Sequence, residues 1–95
     1  MRDFVKEVQA LGVQFQRVIL YGSYANGGQH EWSDIDVVLV ADKFTGVGFL
    51  DRKLFSKVNI QEKYMWIEPK TYPTAYFQQG DPFIEEIVRT GVKIV

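Results

Sequence analysis

The chain has 95 residues with 11 Lys and Arg against 12 Asp and Glu, a formal charge of −1, 46 % hydrophobic and 15 % aromatic residues, and no cysteine. Such a chain hides roughly 65 % of its unfolded surface on folding, enough for one modest core in a single domain over 1–95, and its composition excludes disordered, collagen-like and coiled-coil classes. Balanced charge gives no drive toward duplex nucleic acid or an anionic membrane, and the lack of cysteine excludes a disulfide frame, a thiolate zinc site and a cysteine nucleophile. Met1 to Glu7 is charged and amphipathic, and no apolar run approaches the roughly 18 residues of a membrane span, so the expectation is a cytoplasmic protein.

Phe4, Val5, Val8 and Leu11 form the apolar stripe of a first helix, with Gly12 placed at its C-terminus. Arg17 to Tyr21 is a short β-rich run stopped by Gly22, and Ser23 to Ser33 reads as a loop around the Asn26-Gly27-Gly28 turn signal. Asp34 to Val40 predicts a second, largely buried strand. After a loop at Gly46 and Gly48, Phe49 or Leu50, Leu54 and Val58 recur at helical spacing, with Asp51, Arg52, Lys53 and Lys57 on the polar side. Tyr64 to Glu68 is β-prone and ends at Pro69, and Tyr72 to Phe77 reads as a short helix closed near Gly80. Asp81 as cap, Pro82 at the first helical position, the apolar Phe83, Ile84, Ile87 and Val88, and Gly91 bound a last helix. The expected order is α-β-β-α-β-α-α, an α/β (α+β) domain with a small mixed sheet of about three core strands backed by helices.

The chemistry concentrates between Gly22 and Val40. Asp is depleted in strands, and an unpaired buried carboxylate costs several kcal/mol. Alternation puts Asp34 and Asp36 on one face, roughly 6.6 Å apart along the strand. Two carboxylates so placed suit a divalent cation, because Mg²⁺ takes one or two of them and completes its shell with water and phosphate oxygens. Upstream, Gly22-Ser23 ends a strand in a tight turn where backbone N–H groups and a hydroxyl can approach phosphate. Other motifs fail: no Gly-Lys-Ser/Thr follows the glycines, no dinucleotide-binding glycine spacing is present, and no calcium loop follows Asp34. The one histidine, His30, reads as an exposed loop residue, and Trp32 as a packing residue or a ring that could stack on an adenine base.

Gly-Ser, a small loop with Ala and Gly, and then Ser-Asp-Ile-Asp before apolar residues resembles the signature of the minimal nucleotidyltransferases of the DNA polymerase β-like nucleotidyltransferase superfamily. The resemblance spans nearly the whole chain, including the element order and the ending from Gly80 to Gly91. It implies that Gly22 and Ser23 hold a nucleoside triphosphate, and that Asp34 and Asp36 bind catalytic Mg²⁺, two ions in this superfamily. The third carboxylate is best matched by Glu68, as metal ligand and general base. It further implies transfer of a nucleoside monophosphate, AMP from ATP, to a hydroxyl. The partner class that the resemblance suggests is a HEPN-type helical toxin, with a tyrosine of that toxin as acceptor and this chain as its antitoxin. The domain is too short to carry the second helical domain of larger relatives, so a homo- or hetero-oligomeric partner would complete the surface. The chain departs from the common pattern at Asn26, where many relatives carry Arg or Lys, and at Glu68, where many carry Asp.

Two other readings stand beside this one. The first is a non-catalytic antitoxin module that binds nucleotide or partner without turnover. The second is a free-standing enzyme modifying a small molecule of aminoglycoside type. Arg52, Lys53 and Lys57 read as a solvated helix face from which Arg52 or Lys53 could meet a partner or phosphate. If Glu68 faces the site, alternation would bring Tyr64 and Trp66 to line it.

Overall fold

The computed structural model describes residues 1–22, 35–61 and 64–95. In chain order these residues form α1 (Arg2–Gln9), β1 (Phe15–Tyr21), β2 (Ile35–Ala41), α2 (Gly48–Arg52), α3 (Ser56–Asn59), β3 (Ile67–Tyr72), α4 (Thr74–Gln79), α5 (Pro82–Thr90) and β4 (Val92–Lys93). The strands make a mixed sheet of order β3-β2-β1-β4, with β1 antiparallel to β2 and β4, and β2 parallel to β3. None of the helices among the described residues is long and apolar enough to cross a membrane.

Period-two alternation divides the sheet into two faces. On one, Val18, Val37, Leu39 and Ile67 pack with Phe4, Val5 and Val8 of α1, Val58 of α3, and Phe44, Phe55 and Tyr64. Edge-on ring contacts knit this larger cluster, with Phe4 centred 5.4 Å from Tyr64 and 6.4 Å from Phe55. On the other face Ile19, Val38, Val40 and Tyr72 pack under Ile84 and Ile87 of α5. Because β2 lies between β1 and β3 and is covered on both faces, its run Val37 to Val40 is apolar without alternation. Asp81 caps α5 by accepting from the Ile84 N–H at 2.8 Å, and Pro82 occupies the first turn. At Gly91 a Cβ would stand 2.6 Å from Ile19 Cγ2 and from the Ile87 carbonyl oxygen, so only glycine lets the chain leave α5 and turn directly into β4.

Four expectations change. The third strand starts later than Tyr64 and runs through Pro69 to Tyr72. Proline is compatible there because β3 is an edge strand, where one side of the backbone needs no ladder partner. Tyr64, consequently, lies outside the strand, buried against Phe4 on the α1 face, and does not accompany Glu68. The helical pattern from Phe49 to Val58 divides into α2 and α3 at Phe55, which leaves helical geometry at φ −137° and is itself fully buried. A fourth, two-residue strand, Val92–Lys93, joins the sheet beside β1.

Candidate functional site

Register brings three polar side chains into one row. Tyr21, the last residue of β1, lies opposite Asp36 of β2, and Asp36 lies opposite Glu68 of β3. The following pairs on this face, Ile19 with Val38 and Val40 with Tyr72, belong to the α5-side core, so Tyr21, Asp36 and Glu68 form the polar end of an otherwise apolar face. Neighbouring strands are about 4.8 Å apart, which places Asp36 and Glu68 as adjacent carboxylates on parallel strands. Gly22 closes the row from the β1 side at φ +75°. A Cβ at this position would stand 2.7 Å from Asp36 Oδ2, so the absent side chain is what lets the backbone pass the carboxylate.

The row opens on a cleft of about 600 Å³, lined among others by Tyr21, Asp36, Gly48, Arg52, Glu68 and Lys70. Arg52 of α2 places Nη2 3.9 Å from Glu68 Oε2 and donates to the Pro69 carbonyl at 3.5 Å. Both partners of the ion pair are half exposed, so its net worth is small and the guanidinium can exchange one anion for another. Lys70, on the same strand face as Glu68, holds its Nζ 4.4 Å from the centre of the Phe83 ring. The cleft thus combines two carboxylates with two cations. Burial, and then the charges of Asp36 and Glu68, push the Tyr21 phenol above its ordinary range, which keeps it a neutral hydroxyl beside the carboxylates.

One wall is braced by a carboxylate that plays a different part. Asp51 is 1 % exposed. Its Oδ1 accepts from the Thr45 N–H at 2.8 Å and the Thr45 hydroxyl at 3.0 Å, and its Oδ2 from the Gly46 N–H at 2.9 Å and the Thr71 hydroxyl at 2.6 Å. Burial alone would raise its pKa, but the donors from Thr71, Thr45 and Gly46 outweigh it and hold the carboxyl below the ordinary aspartate range. Asp51 therefore ties the loop before α2 to β3.

The structure brings Gly22, Asp36 and Glu68 together. Ser23 and Asp34, with Asn26, His30 and Trp32, lie outside the described residues. Lys70 and the bracing role of Asp51 escaped sequence reasoning. Had Pro69 been read as an edge-strand proline, alternation alone would have put Lys70 beside Glu68. Asp51 sits in a helical pattern as an ordinary polar-face residue, and its burial has no local signal.

Among the described residues, no group of three or more His, Cys, Asp or Glu is arranged to hold a metal ion. The Asp36 and Glu68 pair nonetheless has the donor chemistry for Mg²⁺, hard carboxylate oxygens facing an open cleft in which water and phosphate can complete an octahedral shell.

No curated protein matches the chain. Among solved structures, it is similar to a candidate nucleotidyltransferase from Sulfolobus solfataricus, at 19 % identity and a TM-score of 0.62, over 97 % of this chain and 73 % of that one. That likeness is one of fold: a mixed α+β domain with a sheet backed by helices. The family model described as the nucleotidyltransferase domain matches residues 1–91, nearly the full length, and on that match the chain belongs to the nucleotidyltransferase domain family.

Proposed function

We propose that this chain is a minimal nucleotidyltransferase that moves AMP from ATP, with Mg²⁺, to the hydroxyl of a tyrosine on a HEPN-type helical toxin, and so acts as its antitoxin. The observation that carries the reading is the row of Asp36 and Glu68 at the mouth of a cleft that also holds Arg52 and Lys70. In this reading Asp36 and Glu68, with Asp34, hold the metal, and Gly22 and Ser23 receive the triphosphate. Bound Mg²⁺ supplies charge neutralisation at the attacking and leaving oxygens.

The chain's own contribution is positioning and charge. Glu68 accepts the proton of the acceptor hydroxyl as its oxygen bonds to the α-phosphorus. The bond from that phosphorus to the bridging oxygen breaks on the opposite side, and pyrophosphate leaves. Arg52 and Lys70 add positive charge beside the α-phosphate at Glu68, in part making up for the Arg or Lys that many relatives carry at position 26. Gly22 keeps the passage beside Asp36 clear of a side chain.

A protein acceptor is supported by the outer side of α2. Phe49 and Leu50 of α2 and the flanking Val47 and Leu54 are all exposed, Phe49 to 70 %, beside the cleft that Gly48 and Arg52 line. The decisive experiment is intact mass spectrometry of a HEPN-type protein after incubation with this chain, ATP and Mg²⁺. A gain of about 329 Da, lost with Asp36→Asn, is the expected result of the two-metal transfer. The Arg52 to Glu68 ion pair supports a second reading, a non-catalytic binding antitoxin in which a carboxylate is kept in a salt bridge. In that case the mass stays constant and Asp36→Asn still neutralises the toxin.

A further inference from the structure

A second cavity of about 300 Å³ opens at the far end of β3, lined by Thr45, Gly46, Val47, Tyr72, Pro73 and Tyr76. It shares Gly46 and Tyr72 with the larger cleft, which follows the strand from Glu68 to Tyr72, so the two adjoin at the Tyr72 end. Four residues of strand span about 13 Å. That separation is of the order that divides the phosphate chain of a nucleotide from the far edge of its base. The character of the walls changes along this length. At the Glu68 end the lining is carboxylate, guanidinium and ammonium. At the Tyr72 end it is two phenol rings, a proline ring, a valine and backbone.

Both walls of the second cavity are held in place. Tyr72 and Tyr76 are stacked at a ring separation of 5.5 Å and an interplanar angle of 2°. Tyr76 is 45 % exposed, and its hydroxyl donates to Asp81 Oδ2 at 2.7 Å, on the carboxylate that caps α5. Opposite, the loop through Thr45 and Gly46 is tied down by Asp51. Gly46 sits at φ +89°, and a Cβ there would lie 3.4 Å from Pro73 Cδ, so the backbone closes directly on the proline without a side chain between. Burial first, and then Asp81 and Tyr76, push the Tyr72 phenol up to about 12, so the ring pair presents neutral hydroxyls at ordinary pH. A narrow cavity with fixed aromatic and proline walls, polar only at its margins, suits a flat heteroaromatic ring.

We infer that the cavity between Gly46, Val47, Tyr72, Pro73 and Tyr76 is the nucleobase pocket of this chain, with the nucleotide lying along β3 and its phosphates at Asp36 and Glu68. This inference rests on the nucleotidyl-transfer reading and extends it by assigning the base to a place. The exposed Tyr76 ring then supplies sequence-tolerant stacking against the base.

The test compares two ligands that share a phosphate chain and differ in the base, ATP and inorganic tripolyphosphate, each titrated with Mg²⁺ into the full chain by calorimetry. Tyr76→Ala is expected to weaken ATP binding roughly 10-fold, the effect of losing one stacking ring. Tripolyphosphate binding should stay within twofold, and Tyr76→Phe should retain ATP affinity. Circular dichroism of each variant confirms the fold, and Val47→Ala provides a second, milder probe of the same wall. Equal weakening of both ligands, or no change for ATP in a chain that binds it through Asp36, would overturn the base pocket and leave nucleotidyl transfer standing. Failure of the unaltered chain to bind either ligand overturns the transfer reading, and the pocket with it.

Discussion

Asp51 and the Asp36–Glu68 pair are carboxylates within one cleft region, yet their surroundings differ. Asp51 is buried and saturated by donors from Thr45, Gly46 and Thr71, all supplied by this chain. Glu68 is half exposed and pairs with the half-exposed Arg52 at 3.9 Å, and Asp36 faces the cleft beside a glycine. A carboxylate whose oxygens are all engaged by its own fold serves the fold. Carboxylates set side by side at the cleft end of a sheet face stand where one cation can meet both.

The comparison is broken most directly by neutralising one member at a time. Asp36→Asn should reduce nucleotide transfer on the order of 1000-fold, because a charged metal ligand becomes a neutral amide, with a far smaller effect on the urea midpoint. If transfer survives at near the original rate, Asp36 is not a ligand. Asp51→Ala should do the reverse in kind. Removing a buried carboxylate strands donors on Thr45, Gly46 and Thr71, and should cost about 3 kcal/mol in a urea titration.

Acid sharpens the contrast further. The Asp51 carboxyl titrates lower in the folded chain than in the unfolded one, so its contribution is present above the unfolded aspartate pKa and is lost as pH falls through the folded value. Urea midpoints followed downward from pH 6 should fall in that acid range, and Asp51→Asn should flatten the decline. An unflattened profile would place the acid sensitivity elsewhere. Smaller again is the effect of Lys70→Met, expected to weaken ATP binding about 5-fold at low salt and less as ionic strength screens the contact. A salt-independent loss would mean that Lys70 acts through its packing on Phe83 instead.

Much of the fold was legible because it is written in local pattern. The stripe Phe4, Val5 and Val8 marks α1, the apolar run after Asp36 marks β2, and Asp81-Pro82 marks the start of α5. Each of these depends on neighbours in the chain, on periodicity or on capping, and so survives without knowledge of the tertiary arrangement. Glu68 is legible as a candidate through the family resemblance, although the β-prone run Tyr64 to Glu68 sets its strand too early. Pro69 is a strand breaker in a central position and an acceptable residue at an edge, and sheet order alone distinguishes the two. The same uncertainty hid Lys70.

By itself the sequence determined the helix and strand residues with strong local periodicity, the pairing of Gly22-Ser23 with a downstream acidic strand, and Asp34 and Asp36 as candidate acids, to which the family resemblance adds Glu68. Tertiary structure alone decided that Tyr21, Asp36 and Glu68 stand in one register row, that Asp51 is a buried brace, and that Arg52, Lys70 and Tyr72 line one cleft. The physical reason is separation along the chain. Periodicity fixes which face of its own element a side chain occupies, whereas register, edge position and burial depend on contacts between residues 15 to 35 positions apart, such as Tyr21 with Asp36 and Asp36 with Glu68.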